Sequence, residues 1–130
     1  MPFVRIDLAR GKSAHYRKTL GDIIYRAMLE VINVPHNDKF QVITEHAPEE
    51  LNVTPTYLGI HYSPDIVFIQ ITLSQGRTVE QKVAFYKRIA TDLHTELKID
   101  LQDVFISLVE VAKENWSFGN GLAQYVLQAA

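Results

Sequence analysis

The chain has no cysteine, which excludes disulfide staples, thiolate nucleophiles, zinc fingers and iron–sulfur ligation in one step. It also lacks an excess of positive charge. Thirteen Lys and Arg stand against fifteen Asp and Glu, a formal net charge of -2, and the pI is near 6.2. Binding to a phosphate backbone releases counterions only to a basic face, so nucleic acid is not an expected partner. No apolar run approaches the ~20 residues of a membrane helix. Met1-Pro2-Phe3-Val4-Arg5-Ile6-Asp7 carries charge where a signal peptide needs an apolar core, so a cytoplasmic domain is expected. Glycine is scarce, six in all, and no glycine-rich phosphate loop or nucleophile elbow is present, so no nucleotide cofactor is expected. His15, His36, His46, His61 and His94 are scattered without ligand spacing, and no metal site is expected either. What is there is ordinary globular material: 130 residues, 47% hydrophobic and 22% charged, enough for one domain spanning 1–130.

The chain aligns with itself at an offset of 65 residues. Val4 to Ser13 lies over Ile69 to Thr78 without a gap, and Asp38 to Glu45 lies over Asp103 to Glu110. The identities Gly11/Gly76, Asp38/Asp103, Phe40/Phe105 and Glu45/Glu110 fall on turns and strand ends. Two pseudo-repeats, about 2–48 and 67–113, are therefore expected, joined by an irregular segment 49–65 and followed by a tail 114–130.

Each half reads strand, helix, strand. Val4, Ile6 and Leu8 alternate with Arg5 and Asp7 over residues 3–8. Leu20, Ile23, Ile24, Ala27, Met28 and Val31 recur at helical spacing after Ser13, and Pro35 closes the helix. Residues 39–46 form the second strand. In the second half, 66–73 reads as a strand apolar on both faces, and Thr78-Val79-Glu80-Gln81 as a capping box opening a helix. That helix is expected to bury Val83, Tyr86, Ile89, Ala90, Leu93 and Leu97, and 103–111 is the last long strand. Strand–helix–strand units of this length imply parallel pairing through right-handed crossovers. The expected fold is α/β: a four-stranded, mainly parallel sheet with two helices on one face. Its other face is left to pack against another subunit. Pro48, Pro55 and Pro64 mark the segment between the halves as a hairpin or arm.

Chemistry has few places to sit. If Met1 is removed, Pro2 becomes a free secondary amine, fixed by its ring at the start of a strand. An α-amino group titrates near ~7.7–8.0, close to what proton transfer beside a carbonyl requires. With Met1 attached, the same nitrogen is an amide without basicity. Arg77 follows Gly76 just past a strand end, where parallel sheets bind ligands, and its guanidinium could hold a carboxylate in bidentate fashion. On position alone, a solvated loop arginine is the commoner outcome. Lys12 holds the matching place in the first half and could act there as a point charge. Asp38 could orient a water or stabilise a protonated Pro2, if the first strand lies beside the second. Its mate Asp103 offers a plainer explanation for both, as turn or cap residues. Trp116 and Phe118 sit in a glycine-flanked turn, Trp116-Ser117-Phe118-Gly119-Asn120-Gly121, suited to covering a pocket or an interface.

Taken together, Met1-Pro2 opening a strand, the repeated strand–helix–strand unit and the Gly76-Arg77-Thr78 corner resemble the tautomerase superfamily. The resemblance is nearer to malonate semialdehyde decarboxylase and its relatives through Val34 to Gln41, Arg77 to Lys87, and Leu108-Val109-Glu110 through Asn115-Trp116-Ser117-Phe118-Gly119. It implies an amino-terminal proline as the catalytic group, here Pro2, with Asp38 as its partner and Arg77 binding a carboxylate. It also implies Trp116 and Phe118 as pocket walls, a homotrimer, no cofactor and a small oxo acid as substrate. The decarboxylase pattern has a second arginine two residues before the one matched by Arg77. Gln75 stands there in this chain, able to donate a hydrogen bond but carrying no charge, and so to contribute to substrate binding only in that way. Lys12 replaces the arginine of short oxalocrotonate tautomerases. The expectation is keto–enol tautomerisation of a 2-oxo acid, with decarboxylation or hydration as the alternative. From a different class, the rival is a non-catalytic oligomer that binds a small acid.

Overall fold

The computed structural model describes residues 2–128; Met1, Ala129 and Ala130 lie outside them. The first half runs β1 (Phe3–Ala9), α1 (Ala14–Val31) and β2 (Gln41–His46). A short hairpin follows, β3 (Thr56–Tyr57) and β4 (Ile60–His61). The second half runs β5 (Val67–Ser74), α2 (Val79–Leu97) and β6 (Val104–Val111), and α3 (Gln124–Gln128) closes the tail. The sheet order is β2-β1-β5-β6. Within each half the strands are parallel, Val4 facing Gln41 and Val67 facing Val104. The central pair β1/β5 is antiparallel, with Phe3 opposite Thr72 and Leu8 opposite Val67.

Both long helices start on side-chain caps. Ser13 accepts from the Tyr16 amide, and Thr78 and Gln81 form a reciprocal capping box, each satisfying a donor that the first helical turn leaves open. Gly21 lets α1 settle onto β2: a Cβ there would run into Gln41, whose amide donates to the Gly21 carbonyl at 2.9 Å. Hydrogen bonds recur at the 65-residue offset. Arg10 N donates to His46 O (2.8 Å) and Gln75 N to Val111 O (3.1 Å). Likewise Arg17 N donates to Ser13 O (3.2 Å) and Lys82 N to Thr78 O (3.1 Å).

The core lies between the helices and one sheet face. Val4, Ile6 and Leu8 of β1 and Val67, Ile69, Ile71 and Leu73 of β5 are buried there with Ile23, Ile24 and Met28 of α1 and Phe85, Ile89 and Leu93 of α2. Two expectations are corrected. Val83 and Tyr86 are exposed (59% and 36%), and Phe85 takes the buried position instead. The reason is helical phase: 85, 89 and 93 line one face, while 79, 83 and 86 line the face beside it. Strand β5 is apolar mainly on the core face; its other face carries Phe68, Gln70, Thr72 and Ser74. The exposed apolar surface of that second face belongs to the outer strands, with Phe40 at 49% and Phe105 at 43%, joined by Val42 and Val109. Among the described residues no helix is long and apolar enough to cross a membrane.

Candidate active site

Three chain segments meet at the end of the sheet where β1 begins. Because β1 runs parallel to β2 and antiparallel to β5, its start lies beside the start of β2 and the end of β5. The amide of Val4 donates to Phe40 O at 2.9 Å, which ties the residues after Pro2 to those after Asp38. Pro2 itself is buried. Asp38 is partly exposed at the turn leading into β2, its amide bonded to Pro35 O (3.2 Å), and its carboxylate has no hydrogen-bond or ion-pair partner among the described residues.

From the other side, β5 ends at Ser74 and the chain turns at Gly76, whose φ of +133° suits glycine. Arg77 follows, half-buried. Its Nε donates to Ile32 O (3.2 Å) and its Nη1 to Ser74 O (3.2 Å). Two carbonyls thus aim the guanidinium while neutralising none of its charge. Gln75 is exposed on the same corner.

The tail supplies the cover. Trp116 Nε1 donates to Ser74 Oγ at 3.2 Å, which pins the indole to the end of β5. Phe118 stacks on Trp116 with centroids 5.4 Å apart, and Tyr125 of α3 meets Phe118 edge-on at 5.0 Å. Gln124 holds this turn together, accepting from Phe118 N (2.9 Å) and donating to Gly119 O (2.8 Å). Burial pushes the Tyr125 hydroxyl above the ordinary tyrosine range. The negative charge of Asp38 adds to that, and the Arg77 cation opposes it, so Tyr125 lies within electrostatic reach of both.

Pro2, Asp38, Gln75, Arg77, Trp116 and Phe118 are therefore gathered at one corner. Lys12 is not. It stands past the far end of β1, because antiparallel β1 and β5 put their C-terminal ends on opposite sides of the sheet. There it pairs with Asp65 (3.3 Å) and lies over the Tyr16 ring (5.3 Å). Asp103 also parts from Asp38: it is 3% exposed and accepts from Ser63 N (2.8 Å) and Ser63 Oγ (2.5 Å), a structural role. Sequence reading missed Ser74 and Tyr125. A serine closing an apolar strand carries no special signal, and Tyr125 reaches the corner only through the fold of the tail. Among the described residues no three His, Cys, Asp or Glu are set to hold a metal ion.

The fold and this corner define a β-α-β protein with a proline-opened strand beside a guanidinium. Two family models, each described as "Tautomerase enzyme", match residues 38–119 and 2–60. "Probable tautomerase YusQ" of Bacillus subtilis (strain 168) is 44% identical over 126 residues, covering 97% of this chain and 99% of its own. "Probable tautomerase YrdN" of the same organism is 33% identical, covering 97% of each. The chain belongs to the tautomerase superfamily. Among solved structures, a malonate semialdehyde decarboxylase superposes with a TM-score of 0.88 at 33% identity over 98% of both chains. The FG41 malonate semialdehyde decarboxylase inhibited by 3-bromopropiolate gives 0.88 at 35%, over 98% of this chain and 97% of that one. The fused 4-OT symmetric trimer shares the fold, with a TM-score of 0.76 at 22% identity over 92% and 94%.

Proposed function

We propose that the protein is a cofactor-free enzyme that interconverts the keto and enol forms of a small 2-oxo acid, with the Pro2 amine as the proton carrier. What carries the reading is the convergence of Pro2, Asp38 and Arg77 at one corner, beneath Trp116 and Phe118. Removal of Met1, which lies outside the described residues, is the first requirement.

The chemistry follows from charge. Arg77 holds the substrate carboxylate, as a planar donor fork does best. The neutral Pro2 amine then takes a proton from the carbon beside the carbonyl, the C–H electrons form the enol double bond, and the carbonyl π electrons move to oxygen. The protonated Pro2 delivers the same proton to that oxygen, directly or through water, and returns to the neutral amine. In the reverse direction the protonated amine returns its proton to carbon. Asp38 favours the charged amine and Arg77 the neutral one, so the two act against each other on the Pro2 equilibrium near neutral pH. Stacked aromatics beside the corner cover part of it, and a bound substrate would complete the cover and strengthen these interactions. A homotrimer is part of the proposal, the bare sheet face packing between copies. The trimeric assembly of a protein sharing this fold supports it, as do Phe40, Val42, Phe105 and Val109, exposed on that face.

A second reading is decarboxylation or hydration of a 3-oxo acid, in which a protonated Pro2 polarises the carbonyl. The likeness to two malonate semialdehyde decarboxylases favours it, one of them studied for its decarboxylase and hydratase activities and with its first residue, a proline, changed to alanine. Gln75 weighs against it: losing a charge-assisted contact costs about 1.5–3 kcal/mol of carboxylate binding, tenfold or more.

The test is Pro2→Ala in protein whose intact mass lacks one methionine. Turnover of enolised phenylpyruvate is expected to fall about 10²–10⁴-fold, with the assembly unchanged by sedimentation. Wild-type turnover in that variant would sink the mechanism. Carbon dioxide release from malonate semialdehyde, exceeding tautomerisation in kcat/KM, would transfer the reading to the decarboxylase.

A further inference from the structure

We infer that Glu110 is a positioning residue for Arg77, bracing the Gly76-Arg77 corner from the end of the neighbouring strand and so fixing where the guanidinium stands. The inference rests on the reading of Arg77 as the carboxylate-binding group. Arg77's own side-chain bonds are to neutral carbonyls, both at 3.2 Å, and it follows a glycine in the left-handed half of backbone space. Nothing in that set fixes the peptide between Gln75 and Arg77. On one side Gln75 N is tied to Val111 O (3.1 Å). On the other side, Glu110, the residue preceding Val111, accepts from Lys82 of α2 at 2.5 Å. The Lys82 bond first, and then the Gly76 amide and the Arg77 charge, hold the Glu110 carboxyl below the usual carboxylate range. The end of β6 therefore holds both sides of the turn, Val111 the residue before Gly76 and Glu110 the first turns of α2 after Arg77.

The same brace occurs a second time, 65 residues earlier. Glu45 pairs with Arg17 of α1 at 3.0 Å and accepts from Lys12 N at 3.3 Å, while Arg10 N bonds His46 O at 2.8 Å. That corner has no proline terminus, and its cation, Lys12, is taken up by Asp65. The chain thus carries two copies of one brace, one at the candidate site and one away from it. A purely structural role predicts the same consequence for losing either. A positioning role predicts that only the Glu110 copy affects the ligand.

The experiment compares Glu110→Ala with Glu45→Ala in the full chain. It measures the melting temperature, Kd for phenylpyruvate by calorimetry, and KM and kcat for its enol. Both variants are expected to melt earlier by similar amounts. Glu110→Ala is expected to raise Kd and KM about tenfold with kcat within about twofold, the signature of lost substrate binding. Glu45→Ala leaves all three near wild type. Glu110→Gln keeps an acceptor for Lys82 but loses the charge that pairs with it, and a rise of about threefold is expected; this variant decides the matter if Glu110→Ala does not fold. Equal Kd in the Glu110 and Glu45 variants, or an undiminished affinity in Glu110→Gln, would overturn the brace. Arg77→Ala separates the two layers. If it leaves Kd unchanged, the carboxylate-binding reading falls, and the brace with it. If it raises Kd while the Glu110 variants do not, only the brace falls.

Discussion

At the scale of single residues, the proposed reaction turns on a competition of charges around the Pro2 nitrogen. Asp38 keeps an unpaired carboxylate among the described residues, and Arg77 keeps a guanidinium bonded only to carbonyls. Tyr125 lies between these influences. Its hydroxyl, raised by burial and by Asp38, stays protonated through the neutral range and can act as a donor but not as a titrating base. Tyr125→Phe is therefore expected to lower kcat/KM by about two- to tenfold, one neutral hydrogen bond's worth, with both limbs of the pH–rate profile between about pH 6 and 9 unmoved. A limb that disappears in the variant would show that Tyr125 titrates in the reaction. Pro2 and Arg77 each carry a local signature, a ring at a chain start and a strand-end turn. Asp38 does not, since its repeat mate Asp103 argues for a turn or cap residue, and only the family resemblance singled it out. Lys12 had the same signature as Arg77 and was misplaced. Spacing says that both follow a strand, but not that the two strands point in opposite directions.

At the scale of elements, the strands and helices were legible because their signals are local. Ser13 and Thr78 mark the helix starts within a residue, and alternation marks β1. The buried face of α2 was less legible: Val79, Val83 and Tyr86 form an apolar row at helical spacing as regular as the true one, and only docking onto the sheet selects Phe85, Ile89 and Leu93. Helix α1 is also held to the turn before β2 by Asp22, which takes Lys18 at 2.8 Å and Lys39 at 2.9 Å. The Lys18 bond, then the Lys39 bond, lower the Asp22 pKa. A carboxyl lowered by folding adds stability above its unfolded pKa of ~3.9 and loses that contribution as pH falls through the lower folded value. Asp22→Asn should thus cost little at neutral pH, about 0.2–1 kcal/mol for so exposed a group. Urea melts should show the gap to wild type closing toward about pH 2. A gap that stays constant with pH would mean that the pairing is not its source.

At the scale of the whole molecule, the two sheet faces differ in kind. One is sealed by α1 and α2. The other leaves Phe105 and Val109 on β6 and Phe40 and Val42 at β2 open to solvent in the single chain. Phe105→Asp places a charge where another copy is proposed to pack, and burying an unpaired carboxylate is prohibitive. The variant is expected to sediment as a monomer with an unchanged far-ultraviolet circular dichroism spectrum. A trimer that survives the substitution would put the interface elsewhere.

The antiparallel seam between β1 and β5 also settles a matter of stoichiometry. It places the two corners of the repeat at opposite ends of the sheet, and a polypeptide can begin at only one of them. At the other, Ser63-Pro64-Asp65 runs unbroken into β5, so that every backbone nitrogen there is locked in a peptide bond. With Met1 removed, as the proposed reaction requires, each chain would offer one backbone amine at a strand start, and an alkylating reagent aimed at it is expected to saturate at a single equivalent per protomer.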